Sequence, residues 1–331
     1  MRKEGLKGKE LEEIINDIRK SLGCPICKLE GVNLGEQIDS HLIPKSYLKV
    51  VGKKFYCFDI NSKAYYDFKN ANGNVIRKSA KKVMAHKVFC KIHDEKIFKP
   101  IENGLSCSKD IKFNNEQIGL WILRAFLFNL YNQRLKIRAK INGNNIADKR
   151  YLISFYSNLD KEKLILRSYK NKFVDLNEFM ITKIYKLNKL VGVLTCSAIP
   201  IKNWFNFDDG MFYINILPNK EEKNTYIIIS YLNNGKSFNK GNKVIKKLDL
   251  LYKRNIEMFE LEISKKLLIY DINLVISDRL YNKFSENEKC YYIKVSKKLK
   301  NLNGIKQFWG NIVKLTILEM RACKLNLFKP L

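Results

Sequence analysis

The sequence predicts an α+β protein in two parts: a small N-terminal domain over residues 1–108 and a mixed helix and sheet domain over 109–331. Three observations carry this reading. All three histidines fall within the first 93 residues, beside a Cys-x-x-Cys and a Cys-x-x-His pair. The run NNEQIGLWILRAFLFNLYNQRLKIRAK, 114–140, is apolar nearly all round in its first half, as a core helix is. Beyond it, LVGVLTCSAIPI, MFYINILP and TYIIISYL are β-rich runs parted by turn residues, as the strands of one sheet are.

The elements follow in order. Leu6, Leu11, Ile14, Ile15 and Ile18 recur at helical spacing and predict a helix over 4–20. Gly23 and Pro25 bracket the first cysteine pair in a tight turn. Residues 38–51 read as an extended segment running into a short helix. KKFYCFDI and KAYYDF, within 54–68, read as strands or a hairpin, and NANGN at 70–74 as a turn. Asn114 or Asn115 caps the core helix, with Gly143 beyond its end. Residues 160–190 are expected to be helical, then come the three strands, then helices over about 244–271 and 306–326. The domain boundary is expected near 105–112, and the sequence contains no internal repeat.

Lys and Arg number 62 against 33 Asp and Glu, a formal net charge of +29. That imbalance points first to a polyanion, with nucleic acid as the expected partner; an anionic membrane surface or solvated lysine faces are the competing explanations. The longest apolar stretch, IGLWILRAFLFNLY, contains Arg124 and is too short to span a bilayer. With no apolar leader before a small-residue cleavage site, the chain reads as cytosolic and not membrane-bound. Residues 109–331 offer a surface for a protein partner but no mechanism, since no histidine follows residue 93; Asp208 and Asp209 there read as turn residues before metal ligands.

Eight cysteines without a secretion signal argue against a disulfide framework. Cys57, Cys107, Cys196, Cys290 and Cys323 lack paired spacing and read as buried reduced thiols. Cys24 and Cys27 differ: two thiolates two apart in a turn point to one side and can share a Zn²⁺. Cys90 and His93 complete a closed tetrahedron, so the expected structural zinc ligands are Cys24, Cys27, Cys90 and His93. From Lys69 to His93 there is no acid, while Arg77, Lys78, Lys81, Lys82, Lys87 and Lys91 lead into this site. With Lys45 they are the expected phosphate-contacting residues. The aromatics Tyr56, Tyr65 and Tyr66 could stack on bases or pack a strand.

The order of these motifs resembles the HNH endonucleases: a zinc knuckle, then a His-x-x-Pro element in QIDSHLIPKS (His41, Pro44), then a closing element in CKIHDEK. The resemblance covers roughly residues 20–105. It implies a zinc-stabilised ββα-metal-like N-terminal domain and metal-dependent hydrolysis of phosphodiester bonds in DNA or RNA, in defence against phage or in a mobile element. It gives His41 the role of base, and Asp94, with His86 as partner, the role of holding Mg²⁺ or Mn²⁺. Ser40 stands where the family carries an acid, with Asp39 one place earlier, and the chain closes on His93 then Asp94. The alternative is a zinc-stabilised module that binds nucleic acid or protein without cutting. On that reading His41 is a structural histidine beside Pro44, Asp94 caps a helix, and His86 is a surface residue.

Overall fold

A computed structural model describes residues 23–58, 75–102, 105–109, 111–142, 164–201, 210–271, 273–301 and 325–331. The helices expected over 4–20 and nearly all of 306–326, the segment KAYYDF with Tyr65 and Tyr66, the turn at 70–74, and Asp208, Asp209 and Cys323 lie outside these residues.

The fold is mixed α+β with antiparallel sheets. Helix α1 (Pro25–Glu30) follows the first cysteine, and strand β1 (Gln37–His41) leads through Pro44 into α2 (Lys45–Val51). Strands β2 (Lys54–Phe58) and β3 (Val75–Ser79) precede β4 (Ala85–Cys90), which runs straight into α3 (Lys91–Ile97) and the one-turn α4 (Lys99–Glu102). β1 and β4 form an antiparallel ribbon of their own, with Asp39 opposite Lys87, Ser40 opposite His86 and His41 opposite Ala85.

The second sheet joins β2 and β3 to β5 (Met180–Leu187), β6 (Val193–Pro200), β7 (Met211–Asn219), β8 (Asn224–Leu232) and β9 (Val275–Ser277), in the order β3-β2-β9-β6-β7-β8-β5. Its centre is the meander β6 (Val193–Pro200), β7 (Met211–Asn219) and β8 (Asn224–Leu232), at the three β-rich runs of the sequence. β7 and β8 are buried along their whole length, which explains why their apolar residues run on instead of alternating. β9 (Val275–Ser277) pairs with β6 on one side and with β2 on the other. The sheet therefore crosses the position where the sequence suggests a boundary, joining residues 54–58 and 75–79 to strands that follow residue 180.

Helix α5 (Asn115–Asn142) covers one face of this sheet, its Phe126 ring 6.5 Å from that of Tyr213. Asn114 caps it in a reciprocal box: its side chain accepts from the Gln117 N–H at 2.8 Å, and the Gln117 side chain accepts from the Asn114 N–H at 3.2 Å. The opposite face carries α8 (Gly235–Arg254) and α9 (Ile256–Tyr270). The Tyr185 hydroxyl donates to Asp249 of α8 at 2.9 Å, and its ring lies 4.8 Å from Phe259 of α9.

The expected helix over 160–190 is only partly present. Helix α6 spans 164–170 and α7 spans Leu176–Phe179, but Met180–Leu187 is strand β5, paired along its length with β8. Ile181, Ile184 and Leu187 stand three apart and mimic a helical stripe. Edge pairing decides the conformation instead, burying Tyr185 and Leu187 while Lys183 and Lys186 face out. Two further expectations change: Cys57 and Cys196 are buried, whereas Cys107 and Cys290 are exposed. No helix among the described residues is long and apolar enough to cross a membrane.

Candidate metal centre

Cys24, Cys27, Cys90 and His93 converge, all four buried, with their ligand atoms within 4.8 Å of one another. Local backbone places them. Gly23 and Gly31 take left-handed φ values of +65° and +70°, closing the chain tightly on either side of α1. Cys90 ends β4 in extended conformation and stands at the N-terminus of α3, so His93 comes round one helical turn to meet it.

The distances match a tetrahedral ion. The Cys27 and Cys90 sulfurs are 3.7 Å apart, and His93 Nδ1 lies 3.4, 3.4 and 3.3 Å from the sulfurs of Cys24, Cys27 and Cys90. A tetrahedron with Zn–S about 2.3 Å and Zn–N about 2.0 Å requires edges of about 3.8 Å for S···S and about 3.5 Å for S···N. The fourth ligand is oriented from behind: His93 Nε2 lies 2.9 Å from Glu30 Oε2. A carboxylate on the far nitrogen of a ligating imidazole fixes its tautomer and raises its basicity. Burial pushes the Cys24 thiol up to about 12, so ion capture by these sulfurs is coupled to proton release. This is a buried Cys₃His set able to hold a metal ion such as zinc. Among the described residues no other set of three or more such ligands converges in this way.

His41 and His86 are carried by the ribbon beside this centre, on opposite faces of it. Alternation puts His86 with Ser40 on the inner face, where the His86 ring meets Phe128 of α5 edge-on at 5.8 Å. The surface position considered for His86 does not hold: it is buried. His41 lies on the other face with Asp39 and Lys87. Its Nε2 is 3.0 Å from the Lys81 carbonyl, which can only accept, so Nε2 carries the proton and Nδ1 the lone pair. Burial lowers the His41 pKa, and the charge of Lys45 lowers it further, leaving a neutral imidazole at pH 7.

Asp94 lies in the first turn of α3 and is not its capping residue. Burial raises its pKa, against the opposing pull of Arg124. Arg124, fully buried on α5, is the group that sequence reasoning treated only as an interruption of an apolar run. Its Nη1 donates to Glu102 Oε1 at 2.7 Å, its Nη2 donates to the His41 carbonyl and lies 3.9 Å from Asp94 Oδ1, and its plane stacks 4.5 Å from the Phe98 ring. A charge inside an apolar helix must be paired, and that was the available signal for it. Glu30 and Glu102 gave no comparable signal.

The expected phosphate-contacting residues are dispersed over several elements of both sheets. Lys45, Lys81, Lys82, Lys87 and Lys91 are exposed, with Lys45 and Lys81 adjoining His41. Lys78 is half-buried on β3. Arg77 is bound to Asp278 at 3.1 Å and holds β3 to the segment after β9. Tyr56 packs, its ring stacked 3.8 Å from Tyr281. No known protein family, no curated protein and no solved structure matches this chain.

Proposed function

We propose that the protein is a zinc-clamped nuclease of HNH type that hydrolyses phosphodiester bonds in DNA or RNA. The observation that carries this reading is His41: a neutral imidazole with a backbone-fixed tautomer, at the end of the ribbon away from Cys90 and flanked by the lysines Lys45 and Lys81. Nδ1 takes a proton from a water molecule, the resulting hydroxide attacks phosphorus, and the bond to the leaving oxygen breaks as that oxygen takes a proton from solvent. Lys45, Lys81 and Lys82 hold the phosphate by charge. A Zn²⁺ held by Cys24, Cys27, Cys90 and His93 would serve the fold, because four protein ligands would leave it no open position.

A second, catalytic cation fits less well. Mg²⁺ or Mn²⁺ would find Asp94 as its carboxylate, but no set of three or more ligands that includes Asp94 converges among the described residues, and Arg124 already stands beside it. This favours one second reading: a zinc-stabilised module that binds nucleic acid and does not cut it, in which Arg124 fills the cation's place. Plasmid DNA and single-stranded RNA incubated with the protein, with and without Mg²⁺ or Mn²⁺, separate the two. Cleavage that falls about 10²–10⁴-fold in His41→Ala, with zinc content unchanged, supports the nuclease. Salt-sensitive binding with no cutting under any metal supports the module.

A further inference from the structure

We infer that the protein has a second nucleic-acid-binding surface, on the far side of the seven-stranded sheet from the metal centre, formed by the outer face of α8; this rests on the reading of nucleic acid as partner. Helix α8, GKSFNKGNKVIKKLDLLYKR, carries Lys or Arg at seven positions and a single acid, Asp249. Among its described side chains, the exposed ones are those of Asn239, Lys243, Lys246, Lys247, Leu250, Lys253 and Arg254. At about 100° per residue these seven fall within one face about 120° wide. Five of them are basic and none is acidic.

The charges on that face are largely unspent. Lys247 pairs with Glu262 of the neighbouring helix at 3.0 Å. Lys243, Lys246, Lys253 and Arg254 make no ion pair with a carboxylate among the described residues, and Asp249 is turned aside to Tyr185 and Lys183. From Lys243 to Arg254 the stripe runs about 16 Å along the helix axis, about half of one duplex turn.

The same geometry argues for phosphate over lipid. A helix that lies in a membrane surface buries its apolar face there, but in α8 that face is already committed to the sheet. Ile245 and Leu248 are buried, and the helix sits so close that a Cβ added at Gly241 would stand 2.3 Å from the Tyr231 ring. Leu250 is the one large apolar side chain on the outer stripe. What remains is a row of cations on a rigid rod, suited to a phosphate backbone and indifferent to base sequence.

The test is the salt dependence of binding to a short labelled DNA duplex. Replacing Lys243, Lys246, Lys253 and Arg254 together by Gln should flatten the slope of log K against log salt by about 3 to 4, since each neutralised phosphate contributes about 0.9. The melting temperature should stay unchanged, because all four are surface residues. A parallel variant with Gln at Lys81, Lys82 and Lys87 reports on the metal-centre side. An unchanged slope in the α8 variant, with a flattened one in the parallel variant, overturns this inference alone. Absence of salt-dependent binding by the parent protein overturns both this inference and the nucleic-acid reading. Loss of binding to phosphatidylserine vesicles in the α8 variant, with DNA binding intact, reassigns the surface to membrane and likewise overturns it.

Discussion

The guanidinium of Arg124 and the backbone carbonyl of His41 are joined by a hydrogen bond that ties the core helix to the end of the ribbon strand. The same side chain neutralises Glu102 and faces Asp94, with no exposure to solvent. Replacing Arg124 by Met keeps most of its volume but leaves the half-buried Glu102 and Asp94 without their cation. The expected loss is about 3–5 kcal/mol, read from urea unfolding of the zinc-loaded protein. A loss below about 1 kcal/mol would show that the pair is hydrated and not buried.

Glu30 touches the metal centre only through His93 Nε2, so its removal separates orientation from ligation. Glu30→Gln should retain zinc but bind it about 10–100-fold less tightly, measured by competition with a chromophoric chelator. Cys90→Ser should abolish stoichiometric zinc and lower stability by several kcal/mol, because binding energy at a structural site is folding energy.

Burial and the Lys45 charge lower the His41 pKa, so the base form is reached below the ordinary histidine range. On the proposed nuclease reading, the rate of cleavage should rise with unit slope as this proton is lost and level off at a lower pH than an ordinary histidine would give. Lys45→Gln removes one of the three depressing causes, leaving burial and the Arg124 charge, and should move the rising limb to higher pH. An unmoved limb would show that a different group titrates.

A second pH effect lies against the sheet, beside Cys196. Asp271 is fully buried at the end of α9, accepting from the hydroxyls of Ser197 and Thr195 and from the Asn273 N–H. Burial pushes its carboxyl up to about 6, against about 4 for an unfolded aspartate. The folded chain therefore holds this proton more tightly. The stability it contributes is complete below pH ~4 and is lost as pH rises through 6. Asp271→Asn should flatten that part of the profile, so the difference in melting temperature between variant and parent should change between pH 4 and pH 7 in favour of the variant at the higher pH.

How far these features are legible depends on whether a residue's role is fixed locally. The zinc ligands are legible because two-residue spacing in a turn and on a helix start dictates where thiol and imidazole point. The strands β6 to β8 are legible because Val, Ile and Tyr crowd between turn residues, and the Asn114 cap because its partner is three residues away. Strand β5 is not, since its conformation is set by distant β8, whose Leu232 and Thr225 pair with Met180 and Leu187. Glu30, Glu102 and Asp271 owe their roles to partners far along the chain, and nothing in their immediate neighbours marks them. Close approach is equally silent: Gly119 is needed in α5 because a Cβ there would stand 2.2 Å from Phe173 Cγ, in a turn where Lys172 and Phe173 both take left-handed φ.

Strand β2 finds one of its two neighbours early and the other very late: Cys57 sits opposite Ile76 on one side and Val275 on the other. A nascent chain emerging at about 5–20 residues per second would expose that second edge for about 10–40 s before β9 arrives. For that interval the residues around the metal centre have an unpaired strand rim and must avoid partners from other chains. Early zinc capture would not pair that edge but would limit the hazard, by keeping the ribbon and its helix folded while the rest is made. Expression in zinc-depleted medium should therefore lower the soluble yield by more than the equilibrium stability of the finished protein accounts for.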